Sequence, residues 1–525
     1  MAENLTISKV IERISSGDIR IPAFQRNFVW EPDQVAFLLD SIFKGFPIGT
    51  IILWKTDQRL KTEKNLGYFE LPDPRKDYPV NYILDGQQRL TSLFSVFQTT
   101  LTPSTNEWVD IYYDLKSNES IQESAFLALE DSEVDMTRHF PVNTFFDSVA
   151  YRQATSTLTP EDQIKIDEVQ RKFLTYIIPD IVFETDDLKN VAIVFERINR
   201  AGTELNVFEL LSAWSWSESF DLVEKFDDLQ NEIAEHRYED LTNDRDLQLR
   251  VTAGIIKGDT SPKTILDLSG DEIRNNFPKI RNGIIGAIDF LKRELNIRHF
   301  KILPFPGIIV PLSAFFATDK SDGVNYSANQ KEKIKKWFWR SLFSRRFSAG
   351  VNERQAFDIK EMLKLRANEN YDFSFPKAEV KFDFLKSKFS QGNANSKTLI
   401  SMLNTLNPKS LLSGAVIDFD KVLKNGSKHE YHHIFPKKYL ESIGIVGNEV
   451  NCLANFCFLT RSDNNKISAT APALYGQHIN EDYKKSYLNS LLIPEDFESL
   501  TFEEFIQRRN EMLSKLAYEL MDENK

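Results

Sequence analysis

A doubled histidine, followed by strand, loop, strand and helix signals in that order, constrains this chain more than any other stretch. Residues 429–440 read HEYHHIFPKKYL and residues 451–466 read NCLANFCFLTRSDNNK. An extended segment ends in His432-His433-Ile434-Phe435-Pro436, and Gly444 and Gly447 mark a loop. An apolar run from Val450 to Leu459 then precedes a polar helix entry at Ser462–Asn465. The order suits phosphodiester cleavage. One imidazole takes a proton from water, while the other joins an Asn amide oxygen in holding a divalent cation that stabilises charge on the phosphate and leaving oxygen. The expected roles are His433 as base, His432 and Asn465 as metal ligands, and Asn455 as an orienting hydrogen-bonder.

The segment resembles the HNH (ββα-metal) nuclease module, and LTRSDNNK is similar to the corresponding stretch in HNH domains of RNA-guided CRISPR effectors. The resemblance implies His433 at the base position and Asn465 at the helix ligand, with Asn464 as the alternative ligand, because the two asparagines are adjacent. Many members carry an acidic residue where His432 stands. An imidazole also ligates, but it leaves the choice between Mg²⁺ and Mn²⁺ open. Lys437, Lys438, Arg461 and Lys466 are the nearby candidates for phosphate contact.

With 525 residues the chain has room for two or three cored domains. Its net charge of −12 disfavours DNA binding by overall charge, so contacts must come from local patches. The two cysteines, Cys452 and Cys457, lack a second pair that would complete a zinc site and read as buried reduced thiols. No signal peptide is evident. The most apolar stretch, Ile302–Ala317, carries three prolines and is shorter than the ~20 residues a membrane span needs. A cytoplasmic protein with no membrane association is the expectation.

Near the start, residues 4–14 have apolar residues at helical spacing after an Asn or Thr cap, and Pro32 opens a helix that Gly45 and Pro47 end. Ile48–Trp54 reads as a buried strand. Val80–Leu84 reads as another, with Asp85-Gly86 as a turn and Gln87-Gln88-Arg89 opening a helix whose Leu90, Leu93, Phe94 and Phe97 share a face. A strand–turn–helix with free N–H groups at the helix start is an anion site, though Asp-Gly before a helix is also an ordinary turn. Three stretches, IPAFQRNFVW, ILDGQQRLTSL and VFERINRAGTELNVFELLSAW, together resemble the N-terminal domain of GmrSD-type, modification-dependent (type IV) restriction systems. The resemblance implies a ParB/sulfiredoxin-like fold whose DGQQR motif binds and hydrolyses a nucleoside triphosphate, ATP, GTP or another. It makes Gln25, Arg26, Asp85, Gly86, Gln87, Gln88 and Arg89 candidate nucleotide-site residues, with Arg197 and Asn199 as weaker ones.

Further on, residues 331–346 carry seven basic residues against one acidic, interleaved with Trp337, Phe338, Trp339 and Phe343. Helical spacing puts the aromatics in a core. The cationic row, with Lys335, Lys336 and Arg340, is a candidate DNA contact. Residues 388–396 read as a linker, with Ser396 capping the next helix.

The expected fold is α+β and multidomain: a ParB-like α/β nucleotide-sensing domain over 1–216, a helical middle over 217–395 and a ββα-metal nuclease domain over 396–525. The expected function is an NTP-regulated, metal-dependent endonuclease of antiphage defence that cuts double-stranded phage or modified DNA; a homodimer would let two single-metal sites cut both strands. The alternative is a nucleotide-switched DNA-binding or regulatory subunit of a defence complex whose HNH module is inactive.

Overall fold

Val80–Asp85 is the strand on which the N-terminal part is built. Five of its six residues are buried, the pattern of a strand covered on both faces. In the computed structural model it runs antiparallel to Ile51–Thr56 and parallel to Ile19–Arg20. Asp180–Glu184 joins the far side of Ile51–Thr56 in parallel, completing a four-stranded mixed sheet. The structure describes residues 5–523, apart from 26, 105–107, 118–122, 200–206, 218, 391, 418–430 and 448, and apart from the side chains of 189, 196 and 199.

Local chemistry sets the helices that cover this sheet. Pro32 occupies the first turn of Pro32–Lys44, where its missing N–H costs nothing; Glu31 and Gln34 form a capping box, and Gly45 closes the helix at φ 73°. Gly86 stands between the central strand and helix Gln87–Phe97 at φ 88°, a conformation glycine adopts without strain. The expected strand, turn and helix are therefore present at 80–97. A smaller sheet with Ile111–Asp114 at its centre flanked by Phe126–Ala128 and His139–Pro141 shares the same apolar core.

The chain divides into two compact units, residues 1–221 and 222–525. The second is mostly helical. Ile309–Phe316 is wholly buried, as the apolar stretch required, and packs against Gly270–Glu294, Arg245–Lys257 and Val351–Ala367. Gly283 permits the closest of these approaches, since a Cβ there would stand 2.5 Å from the Ser313 carbonyl oxygen. No described helix is long and apolar enough to cross a membrane.

The boundary expected near 395 is not a break between compact units. Residues 222–395 and 396–525 share one unit, and the strip 384–389, which runs into the supposed linker, is stitched to residues 451–454 by backbone hydrogen bonds. Phe389 N donates to Asn451 O at 2.9 Å, Leu453 N to Ser387 O at 3.0 Å and Ala454 N to Phe384 O at 3.0 Å. The helix after it begins earlier than expected, at Ala394 with Asn393 as its cap, because the Ser396 hydroxyl instead accepts from Ser390 N. Helix Phe502–Leu520 closes the unit. Its Arg509 is fully buried and donates to the carbonyls of Ala454 (2.7 Å), Leu491 (3.0 Å) and Leu492 (3.1 Å).

Candidate functional site

Tyr431–His433 pairs antiparallel with Phe456–Phe458, placing His433 opposite Phe456 and His432 opposite Cys457. Helix Arg461–Ile467 comes next, so the strand–strand–helix order is present. Successive strand residues point to opposite faces, and the two histidines accordingly have different surroundings. His432 is buried and its Nδ1 lies 2.8 Å from Asn464 Oδ1. Burial pushes its pKa down to about 4, against the opposing pull of the Asn464 hydrogen bond, so the ring is neutral near pH 7. Its Nε2 is buried with no hydrogen-bond partner among the described residues.

His433 is half-buried, tilted against the Phe456 ring at 4.2 Å between centroids, and its Nε2 donates to Asn451 Oδ1 at 2.9 Å. An amide oxygen only accepts, so the proton sits on Nε2 and the lone pair on Nδ1. Burial holds this pKa below the usual histidine value too, with the Asn451 bond opposing and the nearby Lys437 charge assisting. A cavity of about 240 Å³ opens here, lined by both histidines, Tyr431, Asn464, Lys437, Lys438 and Ser468 among others.

Asn464 is placed by its neighbour. Asp463 is fully buried and accepts from Ser410 Oγ, from the backbone N–H groups of Leu412 (3.2 Å) and Ser413 (2.9 Å), and from Ser413 Oγ (2.8 Å). Burial alone would raise this carboxyl, but these bonds outweigh it and hold the pKa below the usual range. The helix is thereby anchored with Asn464 toward His432, whereas Asn465 is exposed and does not line the cavity.

The Asn455 amide bonds to the backbone and not to either imidazole: it accepts from Phe435 N at 2.9 Å and donates to the carbonyls of Phe435 (3.1 Å) and Val450 (2.9 Å). It fastens the turn after the first strand to the segment before the second. The orienting amide is Asn451, four residues earlier in the same NCLAN string; the sequence offers two asparagines there and spacing does not choose between them. Lys438, Arg461 and Lys466 are exposed, and Lys437 lies 3.7 Å from Glu441. Both cysteines are buried free thiols, and burial pushes Cys457 up to about 12.

The basic row at 331–346 is corrected at Arg340 alone. Trp337, Phe338, Trp339 and Phe343 are core residues of helix Ala328–Phe343, as their spacing required, but the cations are engaged as well. Arg340 is buried, donating to Met521 O at 3.1 Å and Pro376 O at 3.3 Å and pairing with Glu523. Lys336 pairs with Asp522 at 2.9 Å and Lys335 with Glu332 at 3.2 Å. Arg340 is a tie to the closing helix and is unavailable to DNA.

In the N-terminal unit most of the motif side chains are consumed by the backbone. Gln25 Nε2 donates to the carbonyls of Ile83 (3.1 Å) and Leu84 (3.0 Å). Gln88 holds the 27–29 loop, accepting from Val29 N at 2.9 Å and donating to Asn27 O at 3.1 Å. Arg89 caps the carbonyls of Ile48 (2.6 Å) and Thr50 (3.1 Å) and lies 3.2 Å from Asp85. What faces outward is the Asp85 carboxylate, 40% exposed, beside the Gly86 turn and the first N–H groups of an eleven-residue helix. Gln87 Oε1 is buried without a partner. Arg197 is exposed. Arg26 and the Asn199 side chain lie outside the described residues.

Residues 7–216, nearly the whole N-terminal unit, match the N-terminal domain of the GmrSD restriction endonuclease. The chain is similar to an uncharacterized protein of Methanocaldococcus jannaschii, 25% identical over an alignment 536 positions long that takes in 91% of this chain and 87% of that one. The domain match is confined to the first unit and does not extend to the paired histidines. The alignment to the archaeal protein extends far beyond residue 216, so it takes in much of the second unit as well.

Proposed function

We propose that the chain is a metal-dependent DNA endonuclease of antiphage defence whose chemistry resides at His432, His433 and Asn464, and whose N-terminal unit, read as ParB-like, senses a nucleoside triphosphate at Asp85 and the entry to helix Gln87–Phe97. The observation that carries it is two neutral imidazoles beside one cavity, each with one nitrogen set by an asparagine.

The donor set fits a hard divalent ion. His432 Nδ1 and Asn464 Oδ1 stand 2.8 Å apart, close to the ~3 Å between neighbouring ligands of an octahedral ion bonded at about 2.1 Å. The ion would take the place of the proton on His432 Nδ1, which would move to Nε2 to keep the ring neutral, and water and phosphate would complete its shell. Bound there, Mg²⁺ or Mn²⁺ would stabilise charge on the phosphate and the leaving oxygen. His433 Nδ1 takes a proton from water, the water oxygen bonds to phosphorus, and one ester P–O bond breaks. Lys437 and Lys438, at the rim, hold the DNA phosphates. At the other site the helix N-terminus favours the nucleotide's phosphates, and Asp85 serves its cation.

A second reading is a nucleotide-switched DNA-binding subunit in which the His432–Asn464 contact is a structural clasp. It is favoured by the near-complete burial of His432, which is 4% exposed. Plasmid nicking with Mg²⁺ or Mn²⁺, with and without nucleotides, on unmodified and modified phage DNA separates the two. Cutting by the wild type that His433→Ala abolishes is expected; DNA shifted but never broken under any condition would leave the second reading standing.

A further inference from the structure

We infer that Asn451 is a positioning residue for the proposed cleavage, fixing which nitrogen of His433 faces water, and that residues 384–389, from outside the strand–strand–helix segment, fix Asn451 in turn. The inference rests on the endonuclease reading for its catalytic consequence, but its structural core, the tautomer of one ring, is measurable without it.

A neutral imidazole exchanges its proton between two nitrogens, and a base needs its lone pair on the nitrogen that meets the water. The two forms differ little in energy in solution, so a single hydrogen bond decides the population. Here the decision falls to a side chain that can only accept at Oδ1. His433 Nε2–H donates to it at 2.9 Å, which leaves Nδ1 as the acceptor. The ring's tilt is set separately. Phe456, the cross-strand partner of His433, lies against it at 4.2 Å and is stacked on Phe389 at 4.3 Å with 16° between planes.

The support behind both contacts comes from one place. Phe389 supplies the ring beneath Phe456, and its backbone N–H donates to the carbonyl of Asn451 itself. Ser387 and Phe384 accept from Leu453 N and Ala454 N, holding the short helical turn just after Asn451. Asn451 and the aromatic floor are thus referenced to the same strip of chain, so base orientation and ring position move together. Asn455, one turn on, fastens the backbone but never reaches the ring. Support of this kind behind a reacting group is worth roughly 10- to 100-fold in activity in characterised sites.

The test uses the full chain labelled with ¹⁵N-histidine, which gives only seven imidazoles to assign. In the wild type the His433 nitrogen shifts should report proton on Nε2. Asn451→Ala should give a mixture of tautomers at that ring alone, with the other imidazole signals unmoved. Asn451→Asp, which keeps an accepting oxygen, should restore the wild-type tautomer. In nicking assays Asn451→Ala should lower kcat by about 10- to 100-fold with KM for DNA unchanged, and Asn451→Asp should recover most of that loss. An unchanged His433 tautomer in Asn451→Ala overturns the inference, as does equal kcat in that variant when wild type cuts and His433→Ala does not. If wild type does not cut at all, the endonuclease reading fails while the tautomer result still decides the structural half. If Asn451→Ala unfolds, the decision passes to Asn451→Asp: a folded Asp variant with the wrong tautomer overturns the inference and one with the wild-type tautomer supports it.

Discussion

The DGQQR entry and the paired-histidine site put their distinctive residues to opposite uses. At 85–89 the long polar side chains turn inward: Gln88 and Arg89, with Gln25 beside them, satisfy carbonyls and N–H groups of loops remote in sequence, and the outward-facing chemistry is left to one carboxylate and a helix end. At 432–464 the distinctive residues line a cavity, and the inward work is done by Asn455 and Asp463 beside them. A recurrent polar string can therefore be a scaffold with one reactive letter, or a reactive set with a hidden scaffold. The buried partner atoms tell the two apart.

The contrast can be broken most decisively at the base. His433→Ala should reduce nicking by about 10²- to 10⁴-fold while leaving thermal stability and nucleotide turnover unchanged; loss of nucleotide turnover alongside it would mean the two sites are not separable.

Acid should come next. The folded pKa of His432 lies below its unfolded value of 6.5, at about 4. Between those values the unfolded chain holds the extra proton, so this stability is full above pH 6.5 and is lost as pH falls toward 4. The loss amounts to about 3 kcal/mol for the unit that carries it. Denaturant melts at pH 7 and pH 4.5 should show a drop that His432→Asn largely removes; an equal drop in the variant assigns the acid sensitivity elsewhere.

Arg89→Ala should destabilise the N-terminal unit by about 2 kcal/mol, because two part-buried carbonyls lose their donor. Asp85→Ala should cost under about 1 kcal/mol, its ion pair being half open to water, yet weaken nucleotide binding more than a folded Arg89 variant does. Calorimetric melts and nucleotide titrations on both would reverse the scaffold assignment if Asp85→Ala were the more destabilising.

Within the second site, Asn464→Ala should lower metal-supported nicking by about 10- to 100-fold, and Asn465→Ala should change it by less than about 2-fold, as an exposed side chain away from the cavity should. The reverse order would restore Asn465 as the ligand.

Much of this frame is legible in the sequence, because it is written in local chemistry. Pro32 before an apolar stripe, Gly86 after a buried strand and the alternation that puts His432 and His433 on opposite faces need only neighbours in the chain. What spacing leaves open depends on partners far along it. Arg340 reads as a surface cation until Pro376 and Met521 are seen to close over it. The strip at 388–396 reads as a linker because its small polar residues give no sign that the chain from Phe384 to Phe389 bonds to 451–454. Asn464 and Asn465 are interchangeable until Asp463 is pinned by Ser410 and Ser413, and only then is the helix's rotation set.

Arg509 carries a consequence for the order in which the protein is made. The carbonyl of Ala454, in the turn leading to Phe456, is held by a guanidinium 55 residues further along, on the helix that closes the unit. Domains fold as units while the ribosome is still extending the chain, and this one lacks its final tie until helix Phe502–Leu520 has emerged. A growing or prematurely stopped chain therefore carries both histidines without the frame that orients them. On the endonuclease reading, a reaction dangerous to the cell would become possible only after nearly all of the second unit has been synthesised.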